Sequence, residues 1–319
     1  MDNQPMDLPE KDPLRRQNVA LIGVVLSNLF AFVTIALTHW ALEHFKDAEG
    51  VLVMAEFFII PLVMGMICAK TWRTRIGIGG YFLWSFINFL FTLLWAWLFL
   101  GEGYICLIIV SPIIYLSLVA GSFIGRALFK RNNRTLNASV FGLILFLYVF
   151  DVFSSHDYRA AVRDELVINA PPEVVWPHVV AFDPIQDEPE FWMFQIKMPM
   201  PMETTVSGYH EGASRKCIFN DGIVFDEVMT TFEPNKNLTF DIIEQPEHPE
   251  IIGHIEMDRG QFLLQDNGDG TTTLVGTSWY RLLVFPVWYY DLWAEKITRK
   301  VHLRVMHHIK DLSESPTDA

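Results

Sequence analysis

Arg215, Asp226 and Glu227 are the charged side chains whose spacing points most directly to chemistry. Arg215 stands in the run SRKCIF at 214–219, which reads as a strand, so Arg215, Cys217 and Phe219 share one face. If that face is a concave interior, the Arg215 guanidinium can hold a carboxylate or phosphate head bidentately; otherwise it is solvated or paired with Asp226 or Glu227. His210, Glu188, Glu190 and His178 add polar groups from loops or helices, and His178 with Glu188 is one general acid–base pairing that the fold permits. Cys217 has no His or metal-ligand spacing around it and reads as a small buried hydrophobe. Adjacent His307 and His308 on a helix point to different faces, which argues against a shared metal. The cluster DNGDG at 266–270 resembles a calcium loop superficially, but it lacks the alternating ligands and the distal Glu and reads as a hairpin turn. The sequence contains no nucleophile elbow, metal-ligand cluster or phosphate-binding glycine loop, so neither metal nor cofactor is expected.

These residues need elements to position them. The stretch LVINAPPEVVWPHVVAFDPI at 166–185 reads as a strand feeding a helix: Leu166, Val167 and Ile168 are apolar, Asn169 and Ala170 turn, and Pro171 and Pro172 suit a first helical turn. Val175, Trp176, Val179 and Val180 recur at helical spacing, and Pro177 should kink or shorten that helix. A short second helix fits near Trp192. Strands follow at 204–209, 214–219, 223–230, 238–244, 261–265 and 271–280, separated by turn residues, which predicts an antiparallel meander. Pro286 opens a helix running to about Leu312, with Ala294, Ile297, Val301, Val305 and Ile309 along one stripe. Trp288 and Trp293 lie in its first two turns, where they either fill a core or roof an apolar cavity. With Trp176, Trp192, Phe219 and Trp279 they form the candidate ligand-lining set around Arg215 and Asp226. Strand, two helices, a run of antiparallel strands and one long C-terminal helix is the helix-grip order.

The apolar residues crowd the other half of the chain. Residues 1–156 carry 10 acidic and 11 basic side chains and residues 157–319 carry 27 and 13, so the net charge of −13 divides into +1 and −14. The acidic second half excludes nucleic acid as an expected partner. Runs at 19–42, 51–69, 76–100 and 105–125, with a shorter one at 136–153, approach or exceed the roughly 20 apolar residues a membrane helix needs. The first is too long for a signal peptide and lacks its cleavage site. Arg15 and Arg16, then Lys70, Arg73 and Arg75, then Arg126, Lys130, Arg131 and Arg134 mark alternate flanks as cytoplasmic, whereas the other flanks hold only Lys46. Five crossings with an internal N-terminus put residues 157–319 outside the cytoplasm. Within the spans, Glu56 and His39 near helix ends, Pro61, Pro112 and Asn88 stand out; Asn88 predicts an interhelical hydrogen bond, and Gly121 with Gly125 a close helix approach.

VINAPPEVVWPHVVAF at 167–182, GASRKCIFNDGIVFDEV at 212–228, GTSWY at 276–280 and HLRVMHHIK at 302–310 resemble the START-like superfamily, also called SRPBCC or polyketide cyclase/dehydrase-like. They most resemble its bacterial membrane-anchored members, whose membrane part GEGYICLIIVSP at 101–112 also resembles. The resemblance implies a curved sheet gripping the C-terminal helix around a hydrophobic cavity for a lipid or other apolar ligand, and it supplies no catalytic set. The expected organisation is a tail (1–17), a bundle of about five transmembrane helices (18–156), a START-like α+β helix-grip domain (157–313) and a tail (314–319). The expected function is binding or transfer of a hydrophobic ligand, with a cyclase- or hydrolase-type enzyme or a ligand sensor as the alternatives. The expected location is a bacterial inner membrane with the C-terminal domain periplasmic.

Overall fold

A computed structural model describes residues 13–45, 55–72, 76–101, 103–131, 134–153, 157–251 and 253–315. The chain divides into two compact units, Met1–Ser155 and His156–Ala319.

The first unit is helical: α1 (Pro13–Phe45), a π-helical turn (Ala55–Ile59) running into α2 (Ile60–Trp72), α3 (Ile78–Trp95) running into a second π-helical turn (Ala96–Leu100), α4 (Tyr104–Arg131) and α5 (Arg134–Phe153). Helix α1 starts inside the stretch expected as a tail, because Pro13 at a first helical position has φ already set and loses no intrahelical bond. Residues 1–12 and 51–54, expected as tail and as the start of the second span, lie outside the described residues. All five helices hold stretches of 18 to 27 residues, with mean hydropathy 1.3 to 2.4, long and apolar enough to cross a membrane. This supports reading the chain as a membrane protein. Leu143, Leu145 and Phe146 on α5 are 58–65% exposed, as lipid-facing side chains would be.

Small residues let these helices approach. A Cβ on Gly121 would strike the Leu62 carbonyl oxygen, one on Gly125 would lie 2.8 Å from Met66 Cα, and one on Gly65 would meet the Leu118 carbonyl. The glycine pair of α4 is therefore used against α2 within one chain. The predicted role of Asn88 also holds: Asn28 Nδ2 donates to Asn88 Oδ1 at 2.6 Å, and Asn88 Nδ2 donates to Ser27 Oγ at 3.1 Å, which satisfies an amide that hydrocarbon cannot solvate.

The second unit contains β1 (Tyr158–Ile168), α6 (Pro172–Val180), a single turn α7 (Trp192–Gln195), β2 (Pro201–Val206), β3 (Ser214–Phe219), β4 (Val224–Glu233), β5 (Asn237–Glu244), β6 (Ile255–Asp266), β7 (Thr272–Leu282) and α8 (Val287–Glu314). The strands form one antiparallel sheet in the order β1-β7-β6-β5-β4-β3-β2, so β2 to β7 are a meander and β1 returns to pair with the last strand. The curled sheet holding a long C-terminal helix is helix-grip-like. Helix α6 ends at Val180, three residues after Pro177, and Asp266–Gly270 closes a hairpin in which Asp266 Oδ1 accepts from Gly268 N at 2.8 Å. Strand β1 begins eight residues before the apolar run that marks it in the sequence. Its earlier part, YRAAVRDE, has no apolar run, and the pairing with β7 defines it.

The core lies between the sheet and α8. Met229, Leu238, Phe240, Phe262 and Leu274 from the strands meet Val305, Met306 and Ile309 from the helix, with Val175, Trp176 and Val179 of α6 closing one end. Gly276 sets how close α8 comes: a Cβ there would lie 3.1 Å from Met306 Sδ and 3.4 Å from the Phe262 ring.

Because backbone atoms rather than flexible side chains face Gly121, Gly121→Val should cost the helical unit about 1–3 kcal/mol or more through overpacking. Gly142→Val, at a position with no atom within 4 Å, should be near neutral. Thermal melts of the two full-length variants in the same detergent check the contrast, and equal melting temperatures would contradict it.

Candidate functional site

Two polar clusters lie along the inner face of the sheet, the first enclosed and the second partly open. The first is built on β3 and β4. Period-two alternation turns Arg215 inward, where it is 2% exposed, and the Arg215↔Glu227 register places Glu227, 4% exposed, directly opposite. Arg215 NH1 donates to the Glu227 carboxylate, its Nε donates to Val180 O at 3.3 Å, and its guanidinium lies 4.4 Å from the Phe240 ring centroid. Burial pushes the Glu227 carboxyl above its ordinary range, and the Arg215 charge works against that shift. Beside them, burial raises the Cys217 thiol to about 12, which keeps it protonated and unreactive.

The second cluster joins β1, β7 and α8. Asp164 accepts from Arg299 and from His302 Nδ1 at 3.1 Å, and His302 Nε2 lies 2.6 Å from Ser278 Oγ. Asp164 is 7% and His302 6% exposed, while Ser278 is only half-buried. Burial holds His302 below its ordinary value even though Asp164 pulls the other way, so the imidazole is neutral at pH 7. Asp164 accepts from Arg299 and faces Nδ1 with its other oxygen, an arrangement that places the proton on Nδ1 and leaves Nε2 to accept the Ser278 hydroxyl. Two residues further along β7, Tyr280 OH donates to Asp291 Oδ1 at 2.9 Å; burial, then Asp291, pushes that phenol well up.

The structure gathers some of the expected lining residues and disperses others. Trp176 is buried against Phe232, with ring centroids 5.2 Å apart, and Phe219 packs on Phe225 at 4.9 Å. Asp226 does not join Arg215: it points to the other face and pairs with Lys216 at 2.8 Å. Trp279 shares that outer parity, opposite Ala161 and Arg259. Trp192 is 43% and Trp288 71% exposed, and Trp293 is half-buried in the next turn of α8. Burial pushes His178 down, and the Asp183 charge works against that shift. His308 Nε2 bonds Asp183 O at 2.9 Å. Among the described residues no group of three His, Cys, Asp or Glu side chains could hold a metal.

Sequence reading missed the second cluster. Asp164 precedes the recognisable strand, although Val162, Asp164, Leu166 and Ile168 do alternate correctly. His302 falls in the buried series Thr298, His302, Val305, Ile309, a polar residue on an apolar stripe that helical spacing alone could have flagged.

Within the helical unit, His39 Nε2 lies 2.9 Å from Glu56 Oε1, whose side chain is 8% exposed, and Asp151 Oδ2 accepts from Ala55 N at 2.8 Å. A cleft of about 60 Å³ there is lined by Asn28, Glu56 and Thr92 among aromatic and aliphatic side chains.

No family profile and no curated protein matches the chain. Among solved structures, norcoclaurine synthase from Thalictrum flavum is 10% identical, with a TM-score of 0.37, covering 51% of this chain and 99% of its own. A protein of Nitrosospira multiformis is 17% identical, with a TM-score of 0.34, covering 49% and 97%. A protein of Thermus thermophilus is 15% identical, with a TM-score of 0.34, covering 48% and 97%. No residue role is carried from them, and the helix-grip description rests on this chain's own strand order and terminal helix.

Removing one partner of the Arg215–Glu227 pair leaves a charge stranded in the core. Arg215→Ala should cost about 3–5 kcal/mol, whereas Arg215→Met combined with Glu227→Leu should be close to neutral. Denaturant melts of the two variants decide this; a single substitution as mild as the double one would show that the pair is dispensable.

Proposed function

We propose that the second unit binds a hydrophobic ligand, a lipid taken from or returned to the bilayer that the five helices of the same chain cross. The observation that carries this reading is the chemistry of the inner sheet face. Its charges are neutralised among themselves, Arg215 by Glu227 and Arg299 by Asp164, and the rest of that interior is apolar, with Met229, Phe240, Phe262, Leu274 and Met306 packed beneath α8, so a ligand entering there displaces apolar side chains and meets no unpaired charge. Such a surface discriminates by shape and hydrophobicity rather than by head-group charge. The resemblance to START-like proteins supports the same reading, and binding requires neither metal nor cofactor.

Placement follows from the charges flanking the spans. Basic residues on alternate flanks favour an internal N-terminus, and five crossings then put the second unit on the periplasmic side of a bacterial inner membrane. There it would meet the outer leaflet of the inner membrane.

Full-length protein in nanodiscs containing a phospholipid with a photoactivatable acyl chain tests the binding reading. Cross-linked peptides from β4 to β6 or from α8 are expected, and cross-links confined to 13–153 would overturn it. Topology is read from Asp269→Cys, at an exposed turn, in a Cys217→Ser background: a membrane-impermeant maleimide should label intact spheroplasts, and protection until lysis would place the unit in the cytoplasm.

A further inference from the structure

We propose that Ser278, His302 and Asp164 form a nucleophilic site that cleaves a carboxylic ester, with Ser278 Oγ attacking, His302 as general base and Asp164 positioning the imidazole. The geometry is that of an activated nucleophile. Ser278 Oγ to His302 Nε2 at 2.6 Å and His302 Nδ1 to Asp164 Oδ2 at 3.1 Å both fall within the roughly 2.6–3.2 Å that proton transfer and orientation require. Three elements supply them, Asp164 from β1 and, more than 110 residues later, Ser278 and His302 from the consecutive β7 and α8, and this arrangement of roles recurs on unrelated folds.

Two further features separate this chain of bonds from ordinary helix-to-sheet packing. Burial is graded along it: Asp164 and His302 are enclosed, and Ser278, the residue that must meet a substrate, is the least buried of the three. The neighbouring turns of α8 dock on the sheet through Val305, Met306 and Ile309, so attachment of the helix does not need a polar link. Asp164 accepts from Arg299 with one oxygen and faces His302 Nδ1 with the other, an arrangement that suits the imidazole tautomer able to take the hydroxyl proton.

The reaction is balanced by these groups and water. Ser278 Oγ attacks the ester carbonyl carbon while its proton passes to His302 Nε2. The tetrahedral adduct collapses with cleavage of the bond to the leaving oxygen, which takes that proton from His302 and departs as the alcohol. Water then attacks the acyl-serine, giving a proton to His302; the bond from the acyl carbon to Ser278 Oγ breaks, Oγ takes that proton back from His302, and the acid is released. The substrate class, an ester with an apolar acyl chain, rests on the ligand reading above; the nucleophile itself does not.

The test uses full-length protein in detergent and a biotinylated alkyl fluorophosphonate, in which the serine oxygen displaces fluoride at phosphorus. Peptide mapping should find one adduct, on Ser278. Ser278→Ala should abolish it, and His302→Gln should slow it by about 100-fold or more. The charged groups facing the imidazole are Asp164 from β1 and Arg299 from its own helix, so labelling should fall as pH drops through the lowered His302 value. Asp164→Asn removes the charge that raises that value and should move the acid limb to lower pH, a shift that a purely structural role would not produce. No adduct on the folded chain, equal labelling of heat-denatured protein, or labelling that survives in Ser278→Ala would overturn the proposal. Lipid cross-linking of the same preparation separates the two readings: cross-links without an adduct defeat the nucleophile alone, and an adduct without cross-links defeats only the ligand class.

Discussion

The second unit depends on one close approach, α8 lying across the curled sheet where β7 offers no side chain. Gly276 leaves Met306 room to reach the strand backbone, and Met306 is completely buried as a result. Around that contact the helix carries Val305 and Ile309 into the core, and toward its N-terminus it sets His302 against Asp164 and Ser278 and Asp291 against Tyr280. A Cβ at 276 would press on Met306 Sδ and the Phe262 ring, so these side chains would have to give by a few tenths of an ångström. Burial of the hydrophobic stripe thus also sets the distances on which any chemistry at the second cluster depends.

Polar groups inside this unit are handled in two ways. Arg215 and Glu227 neutralise each other face to face across β3 and β4, with the Phe240 ring shielding the guanidinium, so their charges are held inside the fold. Asp164, Arg299, His302 and Ser278 instead form a directional chain from a buried charge to a half-buried hydroxyl. The first arrangement leaves the surrounding surface apolar to anything that enters. The second leaves one oxygen whose proton has a base waiting.

The helical unit solves the opposite problem, since its surroundings reward apolar exposure. Large side chains on α1, α3 and α5 face outward, and the few polar groups turn in to meet one another: Ser27, Asn28, Asn88 and Thr92 form one network, and Glu56 bonds His39. Glycines on α2 and α4 replace the hydrophobic driving force that helices lack in lipid by allowing direct backbone contact.

Elements governed by local rules were legible in the amino-acid order alone. Five long apolar runs became five helices, alternation bounded by turn residues became β2 to β7, and Pro286 with a 3.6-residue stripe became α8, because these signals lie in consecutive residues. The same order left Arg215 to a ligand head, to solvent or to an acidic neighbour, and it identified Asn88 as an interhelical hydrogen bonder. Choosing among such options required register and packing. Glu227 rather than Asp226 received Arg215, because strand register and parity put one carboxylate inside and turned the other toward Lys216. Trp279 fell on the outer face by the same parity, and Trp288 on an exposed side of α8. Asp164, Ser278 and His302 stand up to 138 positions apart, and no spacing rule joins residues that meet only after β1 pairs with β7 and α8 folds back over both.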